Sequence, residues 1–188
     1  YDCDAYGPSG GHIKGITKPL LDNEIVNVLG TEFKAMSTPG HTNDQLAYFH
    51  SKESNSILFC GDTLFAAGCG RLFEGTPAEM DQSLKRFSNL PKETQVFCGH
   101  EYTESNLIFA AEVEKDNEDI ANRLKLVKKL REKDMVTLPS SIELELKTNP
   151  FMRVDVKSVI DAATNYSDTP LNSDSDVLGA IRDWKDNF

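Results

Sequence analysis

The sequence predicts an α/β protein, β-rich over residues 1–107 and all-helical over residues 108–188. Three observations carry this. Short apolar runs of strand length fill the first hundred residues, apolar stripes at helical spacing fill the remainder, and the texture changes near residues 104–110.

The β-rich part reads as follows. EIVNVLG at 24–30 and TEFKAMST at 31–38 are strand-like. QLAYFH at 45–50 and SILFCG at 56–61 flank a polar stretch from Ser51 to Asn55, a hairpin signal. TQVFCGH at 94–100 is an apolar run too short for a helix. Between these runs lies a marked helix. Thr76, Pro77 and Glu79 form a capping box with proline at the first helical position. Met80, Leu84, Phe87 and Leu90 give it one apolar face, and Pro91 stops it.

The helical part opens with Leu107, Ile108 and Ala111. Ile120, Leu124, Val127 and Leu130 form a second stripe, with acidic residues before it and Lys128, Lys129 and Arg131 at its end. That polarity suits a helix dipole on a solvated face. Val156, Val159, Ile160 and Ala163 mark a helix after Asp155. Val177, Ile181, Trp184 and Phe188 mark a last one, opened by Ser175 or Asp176.

Composition narrows the function classes. The chain has 188 residues, 39% hydrophobic and 27% charged, with 12 Gly and 8 Pro, which excludes disordered and collagen-like chains. No run of about 18 apolar residues offers a transmembrane helix. Thirty acidic against twenty basic residues give a net charge of −10, which argues against a nucleic-acid partner. The four cysteines make no CxxC pair and no zinc-finger spacing, so they read as reduced thiols of the cytoplasm, with the mitochondrial matrix as the alternative. The chain starts at Tyr1 with no visible secretory signal, so it is expected to be a processed or incomplete form.

Three junctions carry the chemistry. Thr38-Pro39-Gly40-His41, Phe59-Cys60-Gly61-Asp62 and Cys98-Gly99-His100 each run an apolar strand into a glycine and then a metal-competent side chain. Glycine lets the backbone turn sharply and approach closely, which frees the next side chain to reach a shared cleft. Imidazole suits zinc, iron or manganese, and an aspartate can bridge two cations. A single Gly-His is more often an ordinary turn; three matched junctions favour a site. His12 and His50 read as a loop and a strand-end histidine, and Cys69 as structural, since no activating base is indicated.

The words around these junctions resemble glyoxalase II, the hydroxyacylglutathione hydrolases of the metallo-β-lactamase superfamily. They are TPGHT at 38–42, FCGDTLF at 59–65, AGCGRLFEGT at 67–76, CGHEYT at 98–103 and NPFMR at 149–153, in the same order along essentially the whole chain. The resemblance implies a metallo-β-lactamase αββα sandwich, its C-terminal portion here at 1–107, and a helical glutathione-binding domain at 108–188. It implies two divalent metal ions, zinc first with iron and manganese as alternatives. His41 ligates one, His100 the other, and Asp62 bridges both as the catalytic carboxylate.

It further implies hydrolysis of S-D-lactoylglutathione to glutathione and D-lactate in methylglyoxal detoxification, by a water made acidic at the metals. Arg71, Phe73, His100, Tyr102, Arg182 and Lys185 match its substrate-binding positions, with Phe73 standing where many members have tyrosine. The partner is thus a small-molecule glutathione thioester, with no nucleic acid or membrane, and the expected state is a monomer. The family's other ligands come from a THxHxDH motif that this sequence lacks. The chain is therefore expected to be incomplete, or not catalytic by itself. The alternative is a non-catalytic glutathione-conjugate binding module that has lost the metal site. A single-iron persulfide dioxygenase of the same fold is disfavoured by the helical tail with Arg182 and Lys185.

Overall fold

A computed structural model describes residues 3–10, 13–53 and 55–188. In chain order the strands are β1 (Tyr6–Pro8), β2 (Lys18–Leu20), β3 (Ile25–Val28), β4 (Thr31–Ser37), β5 (Leu46–His50), β6 (Ile57–Gly61), β7 (Leu64–Phe65) and β8 (Gly68–Cys69). Helix α1 (Pro77–Ser88) and strand β9 (Gln95–Cys98) follow. The helical part comprises α2 (Thr103–Val113), α3 (Glu118–Arg131), α4 (Ile142–Thr148), α5 (Lys157–Tyr166) and α6 (Asp174–Asp186). A two-residue strand, β10 (Ser140–Ser141), precedes α4, and a 3-10 turn, Pro150–Met152, follows it.

Six strands form one mixed sheet in the order β10-β9-β6-β5-β4-β3. The hairpin expected around residues 51–55 joins β5 to β6, with Phe49 opposite Leu58. Within this sheet only β6 and β9 pair in parallel, through a crossover that carries α1, while β1 and β2 form a separate two-stranded parallel ladder. Since β5 runs antiparallel to both β4 and β6, strands β4, β6 and β9 all point the same way. Their C-terminal ends therefore lie on one edge of the sheet, where open α/β sheets hold their ligands.

One face of the sheet is the core. Met36, Ala47, Leu58, Cys60 and Val96 pack with Met80, Leu84 and Phe87 of α1, Phe109 of α2, Phe151, and Leu178 and Ile181 of α6. On the opposite face Leu20, Val26 and Ala35 form a small cluster with Phe33, Leu46 and Tyr48, and Phe59 is exposed.

Helix α1 forms for the reasons its sequence gives. The Thr76 hydroxyl accepts from the Glu79 amide at 3.2 Å, and Glu79 Oε2 accepts from the Thr76 amide at 2.8 Å. The helix ends at Ser88 with Asn89 as its C-cap, two residues short of the expected Leu90. In α3, Asn117 caps the first turn, and the acidic start and basic end are as expected. Ile108 of α2 turns outward, and Asn106, Leu107, Phe109 and Ala110 face inward instead. Helix α6 is opened by Ser173, whose hydroxyl accepts from the Asp176 amide, rather than by Ser175 or Asp176. No described helix is long and apolar enough to cross a membrane.

Candidate active site

The three strand–glycine junctions converge because their strands end on the same edge. Asp62 follows β6, His100 lies two residues beyond β9, and His41 sits in the loop after β4. At the Asp62 junction the β6–β9 register shifts between Phe59 and Gly61, and Gly61 adopts φ +52°, which turns the chain out of the sheet. Gly99 passes so close that a Cβ there would stand 2.4 Å from Asp62 Oδ1.

The result is a symmetrical arrangement about one carboxylate. His41 Nε2 is 3.6 Å from Asp62 Oδ2, and His100 Nε2 is 3.7 Å from Oδ1. Both separations exceed a hydrogen bond. They are close to the roughly 3.4 Å that separates two ligands of one tetrahedral cation at about 2.1 Å each. His41 Nδ1 lies 2.8 Å from the Arg71 carbonyl oxygen, which can only accept, so Nδ1 carries the proton and Nε2 keeps a lone pair for a ligand. In donor type and orientation these three side chains fit a pair of divalent ions. Each ion would have two of these donors; among the described residues, no group of three or more His, Cys, Asp or Glu converges to hold a single ion.

All eight residues expected at the site line one cavity of about 440 Å³. Tyr102 stacks on His100 with ring centroids 4.9 Å apart, and the exposed Phe73 ring packs on His41 at 4.8 Å. Arg71 Nε is 3.3 Å from Asp186 Oδ1. Arg182 is not the surface cation its place beside an apolar stripe would make it: it is 5% exposed. Its Nη1 donates to the Cys69 carbonyl at 2.9 Å, its Nη2 donates to Asp186 at 3.0 Å, and its buried Nε has no partner. Lys185 donates from Nζ to Asn106 Oδ1 and lies 5.2 Å above the Phe109 ring. Burial, with Arg182 as the next cause, lowers its pKa to about 8.

Phe65, Cys69, Ser105 and Asn106 complete the wall. Of these, Phe65, Ser105 and Asn106 are absent from the sequence expectation. Asn106 had a usable signal: it stands four residues after Tyr102, so a helix starting there places both on one face. The cysteines are free thiols, and burial raises Cys60, Cys69 and Cys98 above the ordinary thiol range, as inert structural cysteines require. His50 is bound to the Glu32 carbonyl at 2.9 Å, away from the cavity. His12 lies outside the described residues. A larger open groove of about 930 Å³, between the α2–α3 turn and α5, contains none of the expected site residues.

Comparison with known proteins gives this arrangement a family. Residues 4–100 match the family model of the metallo-beta-lactamase superfamily, and residues 101–188 match that of the hydroxyacylglutathione hydrolase C-terminus. A hydroxyacylglutathione hydrolase of Idiomarina loihiensis is 45% identical over 185 residues, 98% of this chain and 72% of that protein. One from Pseudomonas aeruginosa is 50% identical over 182 residues, 97% of this chain and 70% of that protein. Among solved structures, ETHE1 from Myxococcus xanthus shares the fold with TM-score 0.59 and 21% identity, over 95% of this chain and 57% of that one. A metallo-beta-lactamase from Staphylococcus aureus does so with TM-score 0.56 and 17% identity, over 96% and 48%. Membership of this superfamily implies divalent metal ions. The chain belongs to the hydroxyacylglutathione hydrolase family, within the metallo-β-lactamase superfamily.

Proposed function

We propose that the cavity around Asp62 hydrolyses glutathione thioesters, S-D-lactoylglutathione first among them, to glutathione and D-lactate in the detoxification of methylglyoxal. The observation that carries this is the placement of the His41 and His100 Nε2 atoms 3.6 and 3.7 Å from the two oxygens of one carboxylate, on the wall of a cavity that also gathers three cationic side chains.

In this reading His41, Asp62 and His100 would together hold two divalent ions, with Asp62 as the shared carboxylate. Zinc is the first expectation, and iron and manganese suit the same donors. When bound, such ions supply Lewis-acid polarisation of the thioester carbonyl and a water acidic enough to attack it. The protein's own residues supply the rest. The Arg71 carbonyl holds the His41 ring in one tautomer. Arg71, Arg182 and Lys185 give an otherwise acidic chain a local positive end, which matches the two carboxylates of glutathione. Tyr102 brings a hydroxyl that can hydrogen-bond the glutathione peptide, whereas Phe73 brings a ring with no hydroxyl.

In this reading water is the attacking group, because neither the hydroxyl of Ser105 nor the thiol of Cys69 in the described wall is prepared as a nucleophile. Ser105 donates its hydroxyl to the Tyr102 carbonyl at 2.9 Å, and burial holds Cys69 as the thiol. The relatives are named as hydrolases, and nothing among them favours a non-catalytic binding module.

The test is direct. The metal-loaded protein is given S-D-lactoylglutathione, and thiol and D-lactate are measured together. One thiol and one D-lactate released per thioester consumed supports the reading. No release by protein holding two ions per chain overturns it.

A further inference from the structure

The NPFMR word at 149–153 has no place in the chemistry above, although it lies beside the site. Its first residue reaches the hairpin formed by β7 and β8. That hairpin turns through Ala66 and Ala67, both buried, and Ala67 is held at φ +57°, a left-handed conformation that disfavours any residue with a Cβ.

Side chains from the helical part satisfy the hairpin's backbone. Glu145 Oε2 accepts from the Ala67 amide at 2.7 Å. The Asn149 amide donates to the Phe65 carbonyl at 3.2 Å and to the Gly68 carbonyl at 2.9 Å, and also to Glu145 Oε2 at 2.9 Å. Asn106 donates to the Ala66 carbonyl at 2.9 Å while its oxygen receives Lys185. Glu145 and Asn149 are both fully buried, and Arg123 compensates the carboxylate with a 2.7 Å ion pair. A buried charge without such a partner is strongly destabilising, so the node is built to keep a charged acceptor under the turn.

The hairpin then delivers site groups from its far side. The Cys69 carbonyl receives Arg182, and the Phe65 ring packs 5.9 Å from His100 and 5.4 Å from Tyr102. Gly70, the next residue, lies so close beneath the site that a Cβ there would stand 3.1 Å from His41 Nδ1.

We infer that Glu145 and Asn149 are positioning residues: they clamp the Ala66–Ala67 turn in its left-handed form and through it set Arg182 and the aromatic wall for the glutathione moiety. The functional half of this inference rests on the hydrolase reading, whereas the clamp itself does not.

The experiment uses Asn149→Ala in the full chain, with two readouts. The first is amide hydrogen exchange. The amides of residues 66–69 are expected to exchange at least about a hundredfold faster, with those of β6 and α1 unchanged. The second is the kinetics on S-D-lactoylglutathione. KM is expected to rise by about tenfold with kcat within about threefold, because the substrate-holding Arg182 loses its register. A merely structural role lowers the folded fraction, which reduces kcat and leaves KM alone; that result overturns the inference. Retained protection at 66–69 also overturns it, and so does lost protection with an unchanged KM. If Asn149→Ala does not fold, Asn149→Ser is read in the same way, since its hydroxyl can still accept from the Phe151 amide that Asn149 Oδ1 now caps. If the unsubstituted protein hydrolyses no glutathione thioester, the hydrolase reading fails. The exchange readout then still decides the clamp, and the second readout becomes the Kd for glutathione, expected to weaken by about tenfold and overturning the positioning role if unchanged.

Discussion

Arg71 and Arg182 share one carboxylate oxygen. Asp186 Oδ1 lies 3.3 Å from Arg71 Nε and accepts from Arg182 Nη2 at 3.0 Å. The two arginines come from parts of the chain more than a hundred residues apart, and one acid joins them.

If Arg71 and Arg182 hold a substrate carboxylate, as proposed above, Asp186 competes with it. Asp186→Asn removes a negative charge beside Arg71 and keeps an oxygen acceptor for Arg182. KM for a glutathione thioester is expected to fall by up to about fivefold, the effect of about 1 kcal/mol at a partly exposed charge. The change in kcat is expected to be small. Steady-state kinetics at fixed ionic strength check this, and a raised KM contradicts it.

Lys185 carries a pH dependence. Burial lowers it to about 8, with Arg182 adding to the effect. Its charge is therefore present below that pH and lost above it, and only the charged form attracts a carboxylate. The ratio kcat/KM, which reports the free enzyme, is expected to decline as pH rises through about 8. Lys185→Arg stays charged throughout and removes this decline. A variant whose profile overlays that of the parent contradicts the assignment.

Glu114 and Arg153 give a stability prediction remote from the cavity. The Glu114 carboxylate accepts two hydrogen bonds from Arg153, at 2.7 and 2.9 Å, and one from Ser158 at 2.6 Å. Burial pushes its pKa up, but these partners outweigh burial and hold it below the ordinary carboxylate range. The folded value lies below the unfolded one, so the stabilisation is complete above the ordinary range and is lost as pH falls through the depressed value. Glu114→Ala leaves Arg153 unpaired and is expected to cost about 3 kcal/mol at neutral pH, a Tm drop of roughly 6 to 12 °C. Glu114→Gln is expected to lose less, with its deficit shrinking in acid. Calorimetry against pH checks both; a deficit independent of pH contradicts the ion pair.

What the sequence made legible was local. The α1 capping box is written in four consecutive residues, and the three strand–glycine–ligand junctions are written in their own words. Helix α4 was not legible, because Ile142, Leu144 and Leu146 alternate with Glu143 and Glu145 at the period of a strand. It is a helix because Ser141 caps it and because Ile142 and Glu145, three residues apart, both face the interior. A buried glutamate is the opposite of what a hydrophobic pattern signals, and its partners, Arg123 and the Ala67 amide, are 22 and 78 residues away. The burial of Arg182 was hidden for the same reason: its partner is a backbone carbonyl 113 residues earlier. Periodicity records which faces are apolar, not which polar groups meet across the fold.

The placement of two ions about Asp62 is open to one direct measurement. Crystals of the zinc-loaded protein, with data collected at the zinc edge, are expected to show two anomalous peaks in contact with Asp62, one shared with His41 and one with His100. Asp62→Ala is expected to lose both peaks along with thioester hydrolysis. A single peak, peaks that do not touch Asp62, or two ions and full activity retained in the variant would contradict the bridging role.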